Sequence, residues 1–72
     1  MQFMGKDVIE IRDALKSNKT GKSNLILLSE LLHHTRITLW EIHKLVMEYC
    51  KDECDSKDRT LIVREMHANQ SK

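Results

Sequence analysis

Seventy-two residues, 40% hydrophobic and 32% charged with a formal net charge of +1, make one small folded domain at most. That near-neutral balance excludes a broad basic field for DNA, though not a local basic patch. The longest unbroken aliphatic run, Leu25–Leu28, is far shorter than a membrane-spanning helix needs, and the opening MQFMGKDVIE has no apolar h-region of a signal peptide.

No proline and two glycines favour helices over turns. Two cysteines suit a reducing, cytoplasmic setting. A chain this short is marginally stable unless something is added, and the usual additions are disulfides, a metal or a partner subunit.

Met1–Met4 is a short apolar lead-in. A first helix is predicted over about 5–18, because Met4, Val8, Ile11 and Leu15 recur at helical spacing. Lys6, Glu10, Asp13 and Lys16 fall opposite, and Ile9 lies off the stripe. The stretch 16–23, KSNKTGKS, reads as a loop. Gly21 permits positive φ there, and Asn, Thr and Ser compete for backbone hydrogen bonds.

A second helix is predicted over about 23–34. Leu25, Leu28 and Leu32 form one stripe, which Ile26, Leu27 and Leu31 widen to most of the circumference. A helix apolar nearly all round belongs at the centre of the fold or in a dimer interface.

Thr35–Ile37 turns the chain, and a third helix is predicted over about 38–51. Thr38 with Glu41 forms a capping box, and Ile37 with Ile42 occupies the positions of a hydrophobic staple. Leu39, Ile42, Val46 and Tyr49 follow a 3-4-3 seam, while Trp40 and Met47 lie on another side. This helix is therefore apolar on two faces, more than two short partners in the same chain need.

KDECDSK breaks the pattern. A fourth helix is predicted over about 56–67, capped by Asp55 or Ser56, with a narrow stripe of Leu61, Ile62 and Met66 and with Val63 nearby. Residues 69–72 read as a frayed tail. The expected class is all-α: three to four short helices around a helical hairpin, in one domain spanning 1–72, dimeric.

Four constellations invite chemistry. Thr20-Gly21-Lys22-Ser23 resembles the end of a phosphate-binding P-loop, but Lys16 stands where the first glycine belongs and no strand precedes it. Cys50 and Cys54 stand i, i+4 on an expected helix, with His43 and Met47 on the same face. A closed zinc site needs four ligands and two such pairs, so no metal and no cofactor is expected. A disulfide between these cysteines is disfavoured within an intact helix, where the Cβ vectors diverge. Cys50 with a histidine lacks an activating arrangement, so no catalytic residue and no enzyme is expected. His33 and His34 read as half-exposed capping side chains at a helix C-terminus.

Leu28–Leu45 can be laid on a helix-turn-helix. His33 then takes the turn position that favours glycine, and Glu41 and Glu48 on the second helix repel phosphate. Lys16, Lys19 and Lys22, with Arg12, form the basic cluster. These four are the candidate contacts for a nucleic acid or an acidic partner, weak and steeply salt-dependent.

Met4-Gly5-x-x-Val8-x-x-Ile11, followed by Leu27-Leu28-x-x-Leu31 with His33 and Thr35 close behind, resembles the YmgB/AriR and YcgZ type of small enterobacterial regulators. Those proteins share an L-G-x-x-V-x-x-[LI] opening, a polar loop and an L-[LI]-x-x-L helix, and the resemblance covers about Met4 to Glu48. Leu32 stands where they tend to carry an acidic residue, and the tail after Cys50 has no counterpart. The resemblance implies an all-α dimer, Hha-like in shape, with a role in biofilm formation, acid resistance as a stress response, or two-component signalling. It implies action through protein contacts with some DNA binding, and it brings no catalytic residues.

The leading expectation is a regulatory interaction protein that forms a homodimer and docks an apolar helical face on a transcription or signalling protein. Leu39, Trp40, Ile42, Val46, Met47 and Tyr49 are the expected contact residues. The alternatives are a direct DNA-binding transcriptional regulator, helix-turn-helix or Hha-like, and a phage- or plasmid-encoded inhibitor of a host protein.

Overall fold

The computed structural model describes residues 5–70. Four α-helices follow in chain order: α1 (Lys6–Lys16), α2 (Asn24–Leu31), α3 (Leu39–Tyr49) and α4 (Ser56–Ala68), with a 3-10 turn at Lys51–Glu53. Among the described residues there is no strand, and the all-α class stands. No helix among them is long and apolar enough to cross a membrane. Met1–Met4, including the Met4 of the first stripe, lie outside the described residues, as do Ser71 and Lys72 of the tail.

On α1 the helical spacing turns Val8, Ile11 and Leu15 inward, each 2% exposed, and leaves Ile9 at the surface. The helix ends at Lys16, where the Ser17 hydroxyl donates to the Asp13 carbonyl at 2.9 Å. The loop that follows is built on Asn18. Its Oδ1 accepts from the Thr20 amide (3.0 Å) and hydroxyl (2.6 Å), and its Nδ2 donates to the Lys22 carbonyl (2.8 Å) and to Asn24 Oδ1 (2.7 Å). Gly21 takes φ 81°, a left-handed conformation that a side chain rarely adopts.

Ser23 caps α2 by accepting from the Ile26 amide at 3.2 Å. The Asn24 and Leu25 amides donate to the Glu53 carboxylate, at 3.1 and 2.7 Å. A carboxylate from the 3-10 turn therefore satisfies the open end of α2 and complements its dipole. Asn24 Nδ2 also donates to the Tyr49 carbonyl at 3.0 Å, joining the start of α2 to the end of α3.

α2 is shorter than expected and less enclosed. It stops at Leu31, because the His33 and His34 amides turn back to the Glu30 and Leu31 carbonyls in tight turns. Leu27, Leu28 and Leu32 are buried, Leu25 and Leu31 are half-buried, and Ile26 stands 52% exposed. α1 and α3 are its main neighbours and cover only part of its circumference.

α3 starts as its capping box predicts. The Glu41 amide donates to Thr38 Oγ1 at 3.1 Å, and the Thr38 amide donates to Glu41 Oε1 at 2.9 Å. Ile37 and Ile42, the staple positions, both sit in the core. The helix ends at Tyr49, with Cys50 as its C-cap and the 3-10 turn beyond. Cys50 and Cys54 thus do not share a helix.

α4 packs along α3 in the most extensive helix pairing of the molecule. Its inward residues are Val63 and Met66, with Ile62 partly buried, while Leu61 is 66% exposed. The buried stripe is shifted from the expected one: Arg59, Ile62, Val63 and Met66 follow the i, i+3, i+4, i+7 spacing of one face, and Leu61 falls outside it. Beyond α4, Gln70 reaches the connection before α3. Gln70 Nε2 donates to the Ile37 carbonyl at 2.7 Å, and the Ile37 amide donates to Gln70 Oε1.

Candidate functional site

The capping box starts α3 at Leu39 and so sets which residues face outward. With ~100° between successive residues, Ile42, Leu45 and Val46 point to the core, and Trp40, His43 and Met47 share the other side. Trp40 is 63% exposed, Leu39 40% and Met47 38%. Arg59 lies beside Met47, its Nη1 3.2 Å from the thioether sulfur, while Val63 and Arg64 lie beside Leu39 and Trp40. α4 therefore runs antiparallel to α3. Between them opens a groove of about 380 Å³ lined by Leu39, Trp40, His43, Thr60, Val63 and Arg64.

The groove has an apolar floor and a basic edge. Lys44 Nζ sits 4.6 Å from the centroid of the Trp40 ring, a cation–π distance. Arg64 and His43 line the groove, and Arg59 stands at its Met47 end with its Nε buried and without a hydrogen-bond partner. No carboxylate lines it. Acidic residues collect elsewhere: Asp52, Glu53, Asp55 and Asp58 surround a separate hollow beside Ile62. A third hollow lies between α2 and α4, at Ile26 and Ile62.

Of the six expected contact residues, Leu39, Trp40 and Met47 lie on this face. Tyr49 is half-buried and packs against the core. Ile42 and Val46 are corrected: both are 0% exposed in the folded chain and form its interior rather than a contact surface. The 3-4-3 seam is apolar because it holds α3 to the rest of the chain.

The basic cluster is less free than its sequence suggests. Lys22 Nζ forms an ion pair with Glu30 at 2.9 Å, both side chains about half exposed. Lys16 and Lys19 are exposed, and Arg12 is half-buried on α1.

The cysteines are also placed differently from the helical i, i+4 pair. Cys50 is fully buried, and Cys54 follows the 3-10 turn, its Sγ 3.7 Å from the Cys50 carbonyl oxygen. Both thiols are free. Burial, and then the charge of Glu53 and the second thiol, pushes Cys50 from an ordinary 9.0 up to about 12. A thiol held protonated in this way is a packed apolar group and a poor nucleophile. Among the described residues no three His, Cys, Asp or Glu side chains are grouped to hold a metal ion.

Sequence reasoning missed the α4 half of the groove: Arg59, Thr60, Val63 and Arg64. The 59-62-63-66 spacing, with the aliphatic stem of Arg59 counted as apolar, points to Arg59 and Val63 but not to Thr60 or Arg64. No protein-family model, no curated protein and no solved structure matches the chain.

Proposed function

We propose that this chain is a small non-enzymatic interaction protein that docks its α3–α4 face on a regulatory protein. The observation that carries this reading is Trp40. The chain's single tryptophan stands 63% exposed at the edge of an apolar groove, with Leu39 and Met47 exposed on the same helix side. Scattered surface leucines are ordinary, but a tryptophan and a methionine flanking a groove are what protein interfaces use as anchors.

The resemblance of residues 4–48 to the YmgB/AriR and YcgZ type of regulators favours a transcription or signalling protein as the partner, in the cytoplasm. Self-association belongs to the same proposal. Ile26, 52% exposed on the other flank of α4, offers a second apolar patch for it. Direct DNA binding draws less support. Lys22 is paired with Glu30, and the 32–38 connection between α2 and α3 is longer than the 3–4-residue turn of a helix-turn-helix.

The test is capture of binding proteins by the wild-type chain and by the double variant Trp40→Ala, Met47→Ala. Circular dichroism melts should fall only slightly, since Trp40 is 63% and Met47 38% exposed, while the captured regulator is lost. Equal capture by both proteins would overturn the docking reading. Sedimentation of wild type and Ile26→Ser tests self-association, and a wild-type monomer at all concentrations would remove that part.

A further inference from the structure

We infer that the α3–α4 groove receives an acidic amphipathic helix of the partner protein. The inference rests on the docking reading above and adds the chemistry of the occupant. Leu39 and Val63 give the groove an apolar floor, which suits aliphatic side chains at i, i+3 or i+4, and i+7 of an incoming helix. α3 has 11 residues, so a helix lying along it makes roughly three turns.

Charge selects the sign of that helix. Every titratable residue lining the groove is basic, His43 from α3 and Arg64 from α4. Lys44 adds a cation over Trp40, and Arg59 adds another at the Met47 end. The carboxylates on these two helices are turned elsewhere. Glu41 is held by the Thr38 amide, Glu65 lines the α2–α4 hollow, and Asp58 lines the acidic hollow. Glu48, one turn beyond Lys44, is not among the residues that line the groove. A cationic rim with no carboxylate of its own complements carboxylates flanking an apolar stripe.

Other occupants fit less well. A two-fold pairing of this face with a second copy would bring two basic rims together with no lining carboxylate to separate them. A nucleic acid needs a run of cations along its backbone rather than an apolar floor, and Lys16, Lys19 and Lys22 are not among the groove's residues.

The experiment uses three probes against the full chain: a three-turn synthetic helix with Leu at i, i+4 and i+7 flanked by Glu, its twin with Lys for every Glu, and an oligothymidylate. Trp40 fluorescence reports binding, with no other tryptophan to obscure it. The expected result is saturable binding of the Glu peptide, about tenfold or more tighter than its Lys twin at low salt, the gap shrinking as salt rises. Arg64→Glu with Lys44→Glu should reverse the order, and a melting curve confirms that this variant folds. Arg64→Gln alone should narrow the gap.

Equal affinity for both peptides, a preference for the Lys twin, or tighter binding of the oligonucleotide overturns the inference, as does no binding of either peptide. Trp40-dependent capture of a regulator, with any of these outcomes, leaves the docking reading standing without an acidic occupant. Loss of both would remove the two together.

Discussion

Cys50 and Glu53, at the end of α3 and in the turn beyond it, carry the most consequential side-chain environments outside the groove. Glu53 accepts from two amides at the start of α2, while Cys50 fills the interior below it with no exposed surface. Burial is the main reason that the thiol keeps its proton up to about 12, against 9.0 for an ordinary thiol. Between those two values the unfolded chain binds fewer protons than the folded one. Unfolding then releases a proton, so the thiol's contribution to stability is constant below about pH 8 and is lost as pH rises through the ordinary thiol range. The limiting slope is about 1.4 kcal/mol per pH unit. Urea midpoints measured at pH 7.5 and pH 10 should therefore fall further in the wild type than in Cys50→Ala, by an amount on the order of 1 kcal/mol. Cys50→Ala opens a cavity and starts from a lower stability, but the difference between its two pH values lacks the thiol contribution. An identical alkaline loss in both proteins would mean that Cys50 is not held protonated by burial.

Among the elements, α3 separates two roles that share one helix. Its start is a stability feature: Thr38→Ala removes the bond to the Glu41 amide and should cost about 1 kcal/mol. Trp40, two residues on, should tolerate alanine with a loss of roughly 0.5 kcal/mol or less. Denaturant titration of the two variants separates these positions; a Trp40 variant less stable than the Thr38 variant would show that the tryptophan serves the fold. Features set by near neighbours are legible in the sequence alone. The Val8–Ile11–Leu15 stripe, the Asn18–Gly21 loop and the Thr38–Glu41 box each depend on residues within a turn or two. What is not legible there depends on where a distant helix lies. Two apolar faces on α3 do not say which turns inward until α4 is placed, so Ile42 and Val46 read as surface candidates beside Trp40 and Met47. On α4 the hydrophobicity of Leu61 outweighs, in a reading by residue type, the geometry that buries Val63. The groove is accordingly half visible in the sequence: its α3 wall through Trp40, but not its α4 wall through Arg64.

At the scale of the whole molecule, a 72-residue chain has few buried side chains to spare, and polar ties between distant segments matter accordingly. Asn24 bonds to Tyr49, Glu53 holds the start of α2, and Gln70 grips Ile37. The last of these links residues 33 positions apart and closes the 32–38 connection over the end of α4. Ile37 is 6% exposed with Gln70 in place, so these two bonds lie largely out of water. An unmet polar group in such a place costs about 1–3 kcal/mol, and this site has two, partly relieved by rearrangement. Gln70→Ala should therefore lower stability by about 1–2 kcal/mol, a fall in Tm of roughly 4–8 °C for each kcal/mol in a domain of this size. Amide exchange at Ile37 should quicken more than exchange at Ile11 or Leu15, whose protection follows global unfolding. Gln70→Glu keeps an acceptor for the Ile37 amide but sets a carboxylate oxygen against its carbonyl, and should fall at least as far as alanine. The clamp predicts this ordering from its two-bond geometry; a Gln70→Ala chain with an unchanged midpoint and unchanged protection at Ile37 would show that the core alone holds the connection.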